Sequence, residues 1–399
     1  MNNKYENRWE YHNPVNIFFG PGRFKELPVL AGDARNILLV TTPGFTGRGV
    51  TKKLRDMFPS EKNIIVLDNV APNPDLSQIE DDYRHLSAPL SEGNTKKEKF
   101  DLIIALGGGS AIDTGKVFSY LFAEKIVGAK AVDGAENLRR QFEMSEPFYS
   151  GRTVPLIAVP TTAGTGSEVT PFATVWDKIS KKKYSLLTSE LYPDKALLDP
   201  ELTLTLPEEI TVYTALDALS HAFEAYWNNN SNPVSNLYSI KAIKTIMNLL
   251  PALVNEPESP DLRAAIMEAS LFAGMAIAIT RTALAHSISY PITARFDMPH
   301  GLACSFTLPA ILRYNCTEEN MEKMAELITE TGNSNIAELV EYVENFFMAM
   351  AIKKRIAKYF DSPEQIINLT AEMYTPGRAD NNLRTVDEAG IKEILKKSL

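Results

Sequence analysis

Short apolar runs rich in β-branched residues alternate with longer amphipathic segments through the first half of the chain. The runs are NILLVTT (36–42), NIIVLD (63–68), FDLIIAL (100–106), TVPLIAV (153–159) and KALLD (195–199). Such alternation is the mark of βα units feeding a parallel sheet. Three of the runs end in turn chemistry: Asp68 leads into APNP, Leu106 into three glycines and Val159 into PTTAGTG. Past about Pro200 the β-rich runs stop. Longer segments follow with apolar residues at helical spacing; Ile240, Ile243, Met247 and Leu250 step by three and four along one face. Pro207, Pro233, Pro251, Pro260, Pro291, Pro299 and Pro309 punctuate this half, several of them where a helix can begin. The pattern predicts an α/β domain over 1–200 and an all-α domain over 201–399, packed directly with a cleft between them.

Composition narrows the partners. The chain has 399 residues, 44% of them apolar and 23% charged, which is ordinary for a globular protein. Its 41 lysines and arginines against 50 acidic residues give a net charge of −9. Nucleic-acid binding rests on cationic surfaces, so no nucleic-acid partner is expected. Two cysteines, Cys304 and Cys316, cannot build a disulfide framework. The first residues, MNNKYENRWEYHNP, are polar, and the most apolar stretch, 271–279, is much shorter than a membrane span. A cytoplasmic protein with no membrane partner is the expectation.

Two turns carry candidate chemistry for an anionic ligand. Gly107, Gly108, Gly109 and Ser110 join a strand to a helix, and glycine amides at a helix start attract phosphate. The motif is neither a GxGxxG, because Ile112 stands where the third glycine is required, nor a P-loop, because Val117 follows Gly115-Lys116. The second turn, PTTAGTGSEVT (160–170), offers four threonines and a serine to an anionic or ribose-rich ligand. Together the turns favour a dinucleotide. In the second half Asp217 and His221 are four apart, on one face of a helix. His286 and His300 are separated by Pro291 and Pro299, so the later histidine is expected to enter from a turn after the helix. One carboxylate and three imidazoles suit Fe²⁺, Zn²⁺ or another divalent ion, with room for a substrate oxygen. His12 and His85 lack such company.

At these residues the sequence resembles the iron-dependent alcohol dehydrogenases, nearly end to end. The likeness runs through NIFFGPG (16–22), LDNVAPNP (67–74), GGGSAIDTGK (107–116), PTTAGTGSEVT, DALSHAFEAYW (217–227), the segment from His286 to Gly301, and Asn381-Asn382. It implies an N-terminal Rossmann-like parallel-sheet domain that binds a dinucleotide and a C-terminal helical metal- and substrate-binding domain, an architecture of the dehydroquinate synthase kind. Transferred motif by motif, the metal ligands fall on Asp217, His221, His286 and His300. The pyrophosphate turn falls on Gly107 to Ser110, and further nucleotide contacts on Asn73, Asp113, Thr161, Thr162, Thr165 and Lys183. Of the three lysines at 181–183, the first two read as a solvated hairpin.

Two positions depart from the family pattern. Tyr290 stands where many members carry a second histidine near the nicotinamide, so Tyr290, Ser287 or water has to carry the proton. Thr42 stands where NAD-preferring members carry an aspartate. Without that charge NAD(P)H is the expected cofactor, leaning to NADPH.

Within the family, ALAHSISYPITARF and PHGLACSFTLP look most like the phosphonoacetaldehyde reductases, also called hydroxyethylphosphonate dehydrogenases. The substrate class implied is a small aldehyde or alcohol, here a phosphonate, with Arg281 and Arg295 as candidate contacts to the dianion. The resemblance admits a homodimer. The alternatives are a general short-chain alcohol dehydrogenase of the lactaldehyde or butanol type, a dehydroquinate synthase-like lyase, and a metal-dependent binding protein without turnover. Cys304 reads as a small buried residue.

Overall fold

The structure is a computed structural model that describes residues 8–87, 100–123, 135–144, 153–180 and 182–399. Lys181 and the first seven residues lie outside these. The chain divides into two compact units. One comprises Pro14–Thr162 and Ser167–Thr203; the other comprises Leu204–Leu399 with Ala163–Gly166 and the residues up to Asn13.

The first unit is built on a six-stranded sheet of β1 (Asn16–Phe19), β2 (Asn36–Val40), β3 (Asn63–Leu67), β4 (Leu102–Gly107), β5 (Leu156–Pro160) and β8 (Lys195–Leu198). Their order is β1-β8-β5-β4-β2-β3, and every pairing is parallel. All five predicted runs are strands of this sheet. Their side chains sort by parity into two cores. Leu38, Val40, Ile103, Ala105, Leu156 and Ala158 pack on one face; Ile37, Leu39, Ile104, Leu106, Ile157 and Val159 pack on the other. Both faces are covered, which is why the runs are continuously apolar rather than alternating. A separate antiparallel hairpin, β6 (Phe172–Asp177) and β7 (Lys182–Leu187), follows β5.

The chain passes from β2 outward to β3, then returns to place β4 on the other side of β2. The strand order therefore reverses between β2 and β4, the position where open α/β sheets bind ligands.

Six helices carry the chemistry discussed below: α1 (Gly109–Leu121) in the first unit and α2 (Glu208–Tyr226), α3 (Pro233–Asn255), α4 (Pro260–Thr280), α5 (Leu284–Phe296) and α6 (His300–Ser305) in the second. The helix starts follow the prolines. Pro207 and Pro299 are the N-cap residues of α2 and α6, and Pro233 and Pro260 open α3 and α4. At α3 a capping box adds to this: Asn232 Oδ1 accepts from Val234 N and Ser235 N, and Ser235 Oγ accepts from Asn232 N. Pro251 and Pro291, by contrast, lie inside α3 and α5. The predicted stripe Ile240, Ile243, Met247 and Leu250 is buried. By length and hydropathy α3 and α4 could each cross a bilayer, but they pack on one another and on α2 with about half of each apolar window buried, as core helices do.

Candidate functional site

Asp217, His221 and Glu224 lie on α2 at steps of four and three, so one helix face presents all three. His286 is in the first turn of α5, and His300 opens α6 after the turn at 297–299. Gly301 lets that last histidine approach. A Cβ at Gly301 would stand 1.8 Å from the Tyr213 carbonyl oxygen and 3.1 Å from Asp217 Cβ, so only glycine allows α6 to lie against α2 here.

The three imidazoles converge on a single carboxylate oxygen. Asp217 Oδ1 is 3.6 Å from His221 Nε2, 3.6 Å from His286 Nε2 and 3.9 Å from His300 Nε2. These separations are too long for hydrogen bonds. They approach the roughly 3.4 Å edge expected when N and O ligands sit about 2.0–2.1 Å from a common tetrahedral ion. His286 Nε2 is buried without a hydrogen-bond partner. An orphaned ring nitrogen aimed at a buried carboxylate is what a cation site looks like before its ion is added. The His221 and His286 rings stack with centroids 4.7 Å apart, and His300 meets His286 edge-on at 5.3 Å. Asp217, His221 and His286 are nearly inaccessible, while 29% of the His300 side chain is exposed, so the cluster opens to solvent on the His300 side.

Electrostatics agree with this geometry. Burial alone would raise the Asp217 carboxyl, but the charges of His221 and its companions outweigh it and hold the group far below the usual carboxylate range. Burial pushes His221 down to about 4. His286 moves the other way: against burial, Glu224 and Asp217 lift it to about 9.

Sequence reasoning missed Glu224. Its carboxylate is fully buried, with Oε2 2.6 Å from His286 Nδ1 and 2.9 Å from Ala283 N, and Oε1 3.1 Å from His286 N. It therefore fixes which nitrogen of His286 faces Asp217 and anchors the start of α5 at once. The signal was in the sequence, since Glu224 is seven residues after Asp217. Cys304 is buried as expected, yet it also stands at the cluster, with Sγ 3.5 Å from Asp217 Oδ1 and 3.5 Å from Ser220 Oγ. Its ligand atom lies within 4.8 Å of those of Asp217, His286 and His300. Burial and the Asp217 charge push its thiol well up.

Three predicted roles need correction. Ser287 cannot relay a proton freely, because its Oγ donates to Met373 O at 2.6 Å and accepts from Thr375 N at 2.8 Å. Arg295 is already paired rather than open to a substrate anion: its Nη2 lies 2.6 Å from both oxygens of Glu372. Asp113 does not offer an open carboxylate to a nucleotide. One oxygen accepts from the Ser167 hydroxyl and the other from Thr174 N at 2.8 Å, bracing the loop after β5 from within.

Most of the remaining nucleotide candidates of the first unit lie at strand ends. Thr42 follows β2, Gly107 to Ser110 join β4 to α1, and Thr161 and Thr162 follow β5, all at the carboxyl edge of three adjacent strands. Gly107 has φ +155°, and a Cβ there would meet Ala111 Cβ at 2.7 Å. Thr161 N donates to Gly107 O at 3.0 Å, joining the two turns. Asn73, at φ +57°, donates its backbone N–H to Ser110 Oγ at 3.3 Å. Lys183 lies on β7 opposite Trp176, with its Nζ 5.7 Å from the indole centroid. Thr165 belongs to the segment that clusters with the second unit. There Tyr290 sits on α5 one turn beyond His286, and Arg281 caps α4.

Known proteins are similar to this chain in sequence and fold. Residues 14–200 match the family described as iron-containing alcohol dehydrogenase, and residues 211–399 match the C-terminal part of the Fe-containing alcohol dehydrogenase family. The phosphonoacetaldehyde reductase of Streptomyces viridochromogenes is 29% identical over 91% of this chain and 89% of its own. The 1-propanol dehydrogenase of Citrobacter freundii is 26% identical over 96% and 98%. Sulfoacetaldehyde reductase from Bifidobacterium kashiwanohense, solved in complex with NAD+, superposes with a TM-score of 0.85 at 26% identity and 98% coverage of both chains. The chain belongs to the iron-containing alcohol dehydrogenase family, a family of oxidoreductases.

Proposed function

We propose that the protein is a metal-dependent NAD(P)H aldehyde reductase whose substrate is phosphonoacetaldehyde, reduced to 2-hydroxyethylphosphonate. The observation that carries the reductase reading is the convergence of His221, His286 and His300 on Asp217 Oδ1, with His286 Nε2 left orphaned. Asp217, His221, His286 and His300 would hold Fe²⁺ or Zn²⁺, which supplies Lewis acidity to a carbonyl oxygen when bound. A dihydronicotinamide, which the turns at Gly107 to Ser110 and at Thr161 and Thr162 would hold, would supply the hydride for the carbonyl carbon when bound, leaving a proton for the alkoxide oxygen to come from the protein or water.

The chain's own residues set the conditions for this. Glu224 holds the His286 ring in one tautomer, so that Nε2 remains a ligand atom. The nearly inaccessible Asp217, His221 and His286 keep water from one side of the site. With Ser287 committed to backbone partners, the proton falls to Tyr290, one helical turn from His286, or to water. Thr42 places a neutral hydroxyl at the end of β2, where no carboxylate repels a 2′-phosphate, so NADPH is expected to serve.

The substrate reading draws on the phosphonoacetaldehyde and sulfoacetaldehyde reductases as relatives. A second reading, a general short-chain alcohol dehydrogenase, is favoured by the 1-propanol dehydrogenase matched over 96% of the chain. Loss of nicotinamide absorbance with NADH and NADPH, across phosphonoacetaldehyde, lactaldehyde, propanal and butanal, separates them. A preference for phosphonoacetaldehyde supports the first reading; equal or better turnover of the neutral aldehydes replaces it with the second.

A further inference from the structure

Two arginines in the helical unit stand together without an acidic partner. Among the described residues, Arg23, Arg84, Arg139, Arg295, Arg313 and Arg355 each pair with a carboxylate. Arg281 and Arg378, like Arg35, Arg48, Arg55, Arg263 and Arg384, have no carboxylate at salt-bridge distance among the described residues; Arg378 Nη1 donates to the Gly377 carbonyl at 2.9 Å. The nearest acid in sequence, Asp380, is taken: its oxygens accept from the Tyr374 hydroxyl and from Gly377 N.

The backbone brings the two together beside the metal-ligand helix. Asn381 Nδ2 donates both to Thr282 O at 2.9 Å and to Gly377 O at 3.1 Å, stitching the residue after Arg281 to the residue before Arg378. Each segment is also tied to the start of α5. Ala283 N bonds the same Glu224 oxygen that holds His286 Nδ1, and Ser287 Oγ bonds Met373 O and Thr375 N. Arg281 is exposed and Arg378 half-buried; desolvation first, and the charge of Arg378 second, lower the Arg281 guanidinium from its ordinary value, as two neighbouring cations do.

Arg281 is held there at a conformational cost. Its φ of +63° and ψ of 177° fall in a region almost confined to glycine. Its N–H bonds Ile277 O at 2.9 Å, and its carbonyl accepts from Asn228 Nδ2 at 3.2 Å and Thr280 Oγ1 at 2.9 Å, so the surroundings impose the conformation. In a chain of net charge −9, an arginine held in a glycine conformation beside a second arginine makes a local cationic patch that no carboxylate among the described residues neutralises.

We propose that Arg281 and Arg378 form an oxyanion site that recognises the charged tail of the aldehyde, a phosphonate or a sulfonate. Paired guanidiniums match such a tetrahedral group, whose oxygens accept several N–H donors at once. This assignment rests on the aldehyde-reductase reading above, and it replaces Arg295 by Arg378.

The test uses the metal-loaded enzyme with Arg281→Gly, Arg378→Gln and Arg295→Ala. Arg281→Gly suits its backbone, so loss of folding does not obscure the result. The expected result is a fall in kcat/KM, expressed through KM, that is about ten- to a hundredfold larger for phosphonoacetaldehyde and sulfoacetaldehyde than for propanal. Arg295→Ala should behave as the parent does, and the larger of the two anionic effects identifies the natural tail. Parallel losses on charged and neutral aldehydes, or no loss, overturn the site. Calorimetric titration with 2-hydroxyethylphosphonate separates the two layers. If no aldehyde is turned over but the parent binds this alcohol and the two arginine variants do not, the site stands and the reductase reading fails. No binding to the parent overturns the site.

Discussion

Lys116 in the sheet unit and His286 in the helical unit are both buried among other ionisable groups, yet their surroundings are completed differently. Lys116 Nζ donates to Thr170 O at 2.8 Å, Thr170 Oγ1 at 3.0 Å and Phe172 O at 2.8 Å, which uses all three of its donors. Asp113 nearby has a partner on each oxygen. That knot is finished by the protein and ties α1 to the loop after β5. Around His286 the protein finishes only one side: Glu224 satisfies Nδ1, while Nε2 has no hydrogen-bond partner and faces Asp217. Buried charge alone therefore does not distinguish a brace from a binding site. The unfilled valence does so where it meets convergent ligand atoms, as His286 Nε2 meets Asp217, His221 and His300, because a buried polar atom left unpaired costs about 1–3 kcal/mol unless something binds it.

The difference predicts opposite consequences for substitutions. His286→Ala should lower aldehyde reduction by about a thousandfold or more, since the ion can no longer be held for its electrostatic role. Steady-state turnover with the metal supplied in excess checks this, and retained activity would make the cluster structural. Lys116→Met should cost about 3 kcal/mol in denaturant unfolding, because Asp113 and Glu168 lose their buried counter-charge. A variant as stable as the parent would show that the knot is not a brace.

A smaller effect sharpens the role of Glu224. Glu224→Gln should weaken divalent-metal affinity by about ten- to a hundredfold while the protein stays folded. Competition against a chromophoric chelator measures it, and unchanged affinity would restrict Glu224 to anchoring α5. The smallest effect concerns pH. Burial pushes the Glu168 carboxyl up from 4.5 to about 7. A group raised in the folded state stabilises fully below its unfolded pKa, and that stability is lost as pH rises through the folded value. Glu168 should therefore cost the parent stability between about pH 4.5 and 7, by at most about 1.4 kcal/mol per pH unit. Lys116, pushed down to about 8, acts only above that window. His221, pushed down to about 4, acts with the opposite sign in the same window, so the effect is read as a difference: the denaturant midpoint of the parent should fall relative to that of Glu168→Gln as pH rises from about 4.5 to 7.

The sequence was most informative where the chemistry is local. Continuous apolar runs marked strands covered on both faces, and the four-residue step from Asp217 to His221 placed two side chains on one helical turn. The glycine turns at strand ends were visible for the same reason. What could not be read depends on partners far along the chain. The commitment of Arg295 to Glu372 spans 77 residues, and that of Ser287 to Met373 spans 86. Arg378 carried no local motif, and its place beside Arg281 depends on Asn381 bridging two distant turns. Pro291, one of the prolines that punctuate the second half of the sequence, lies inside α5, and the turn before His300 falls at Pro299. Glu224 was legible in its spacing; only the fold showed that its oxygens meet His286.

Metal content after dialysis of the parent, Asp217→Ala and Lys116→Met against Fe²⁺ or Zn²⁺ tests the distinction between the two clusters most directly. The parent and Lys116→Met should retain a stoichiometric ion, and Asp217→Ala should retain none. A folded Asp217→Ala protein that keeps its metal, or a folded Lys116→Met protein that loses it, would contradict the account.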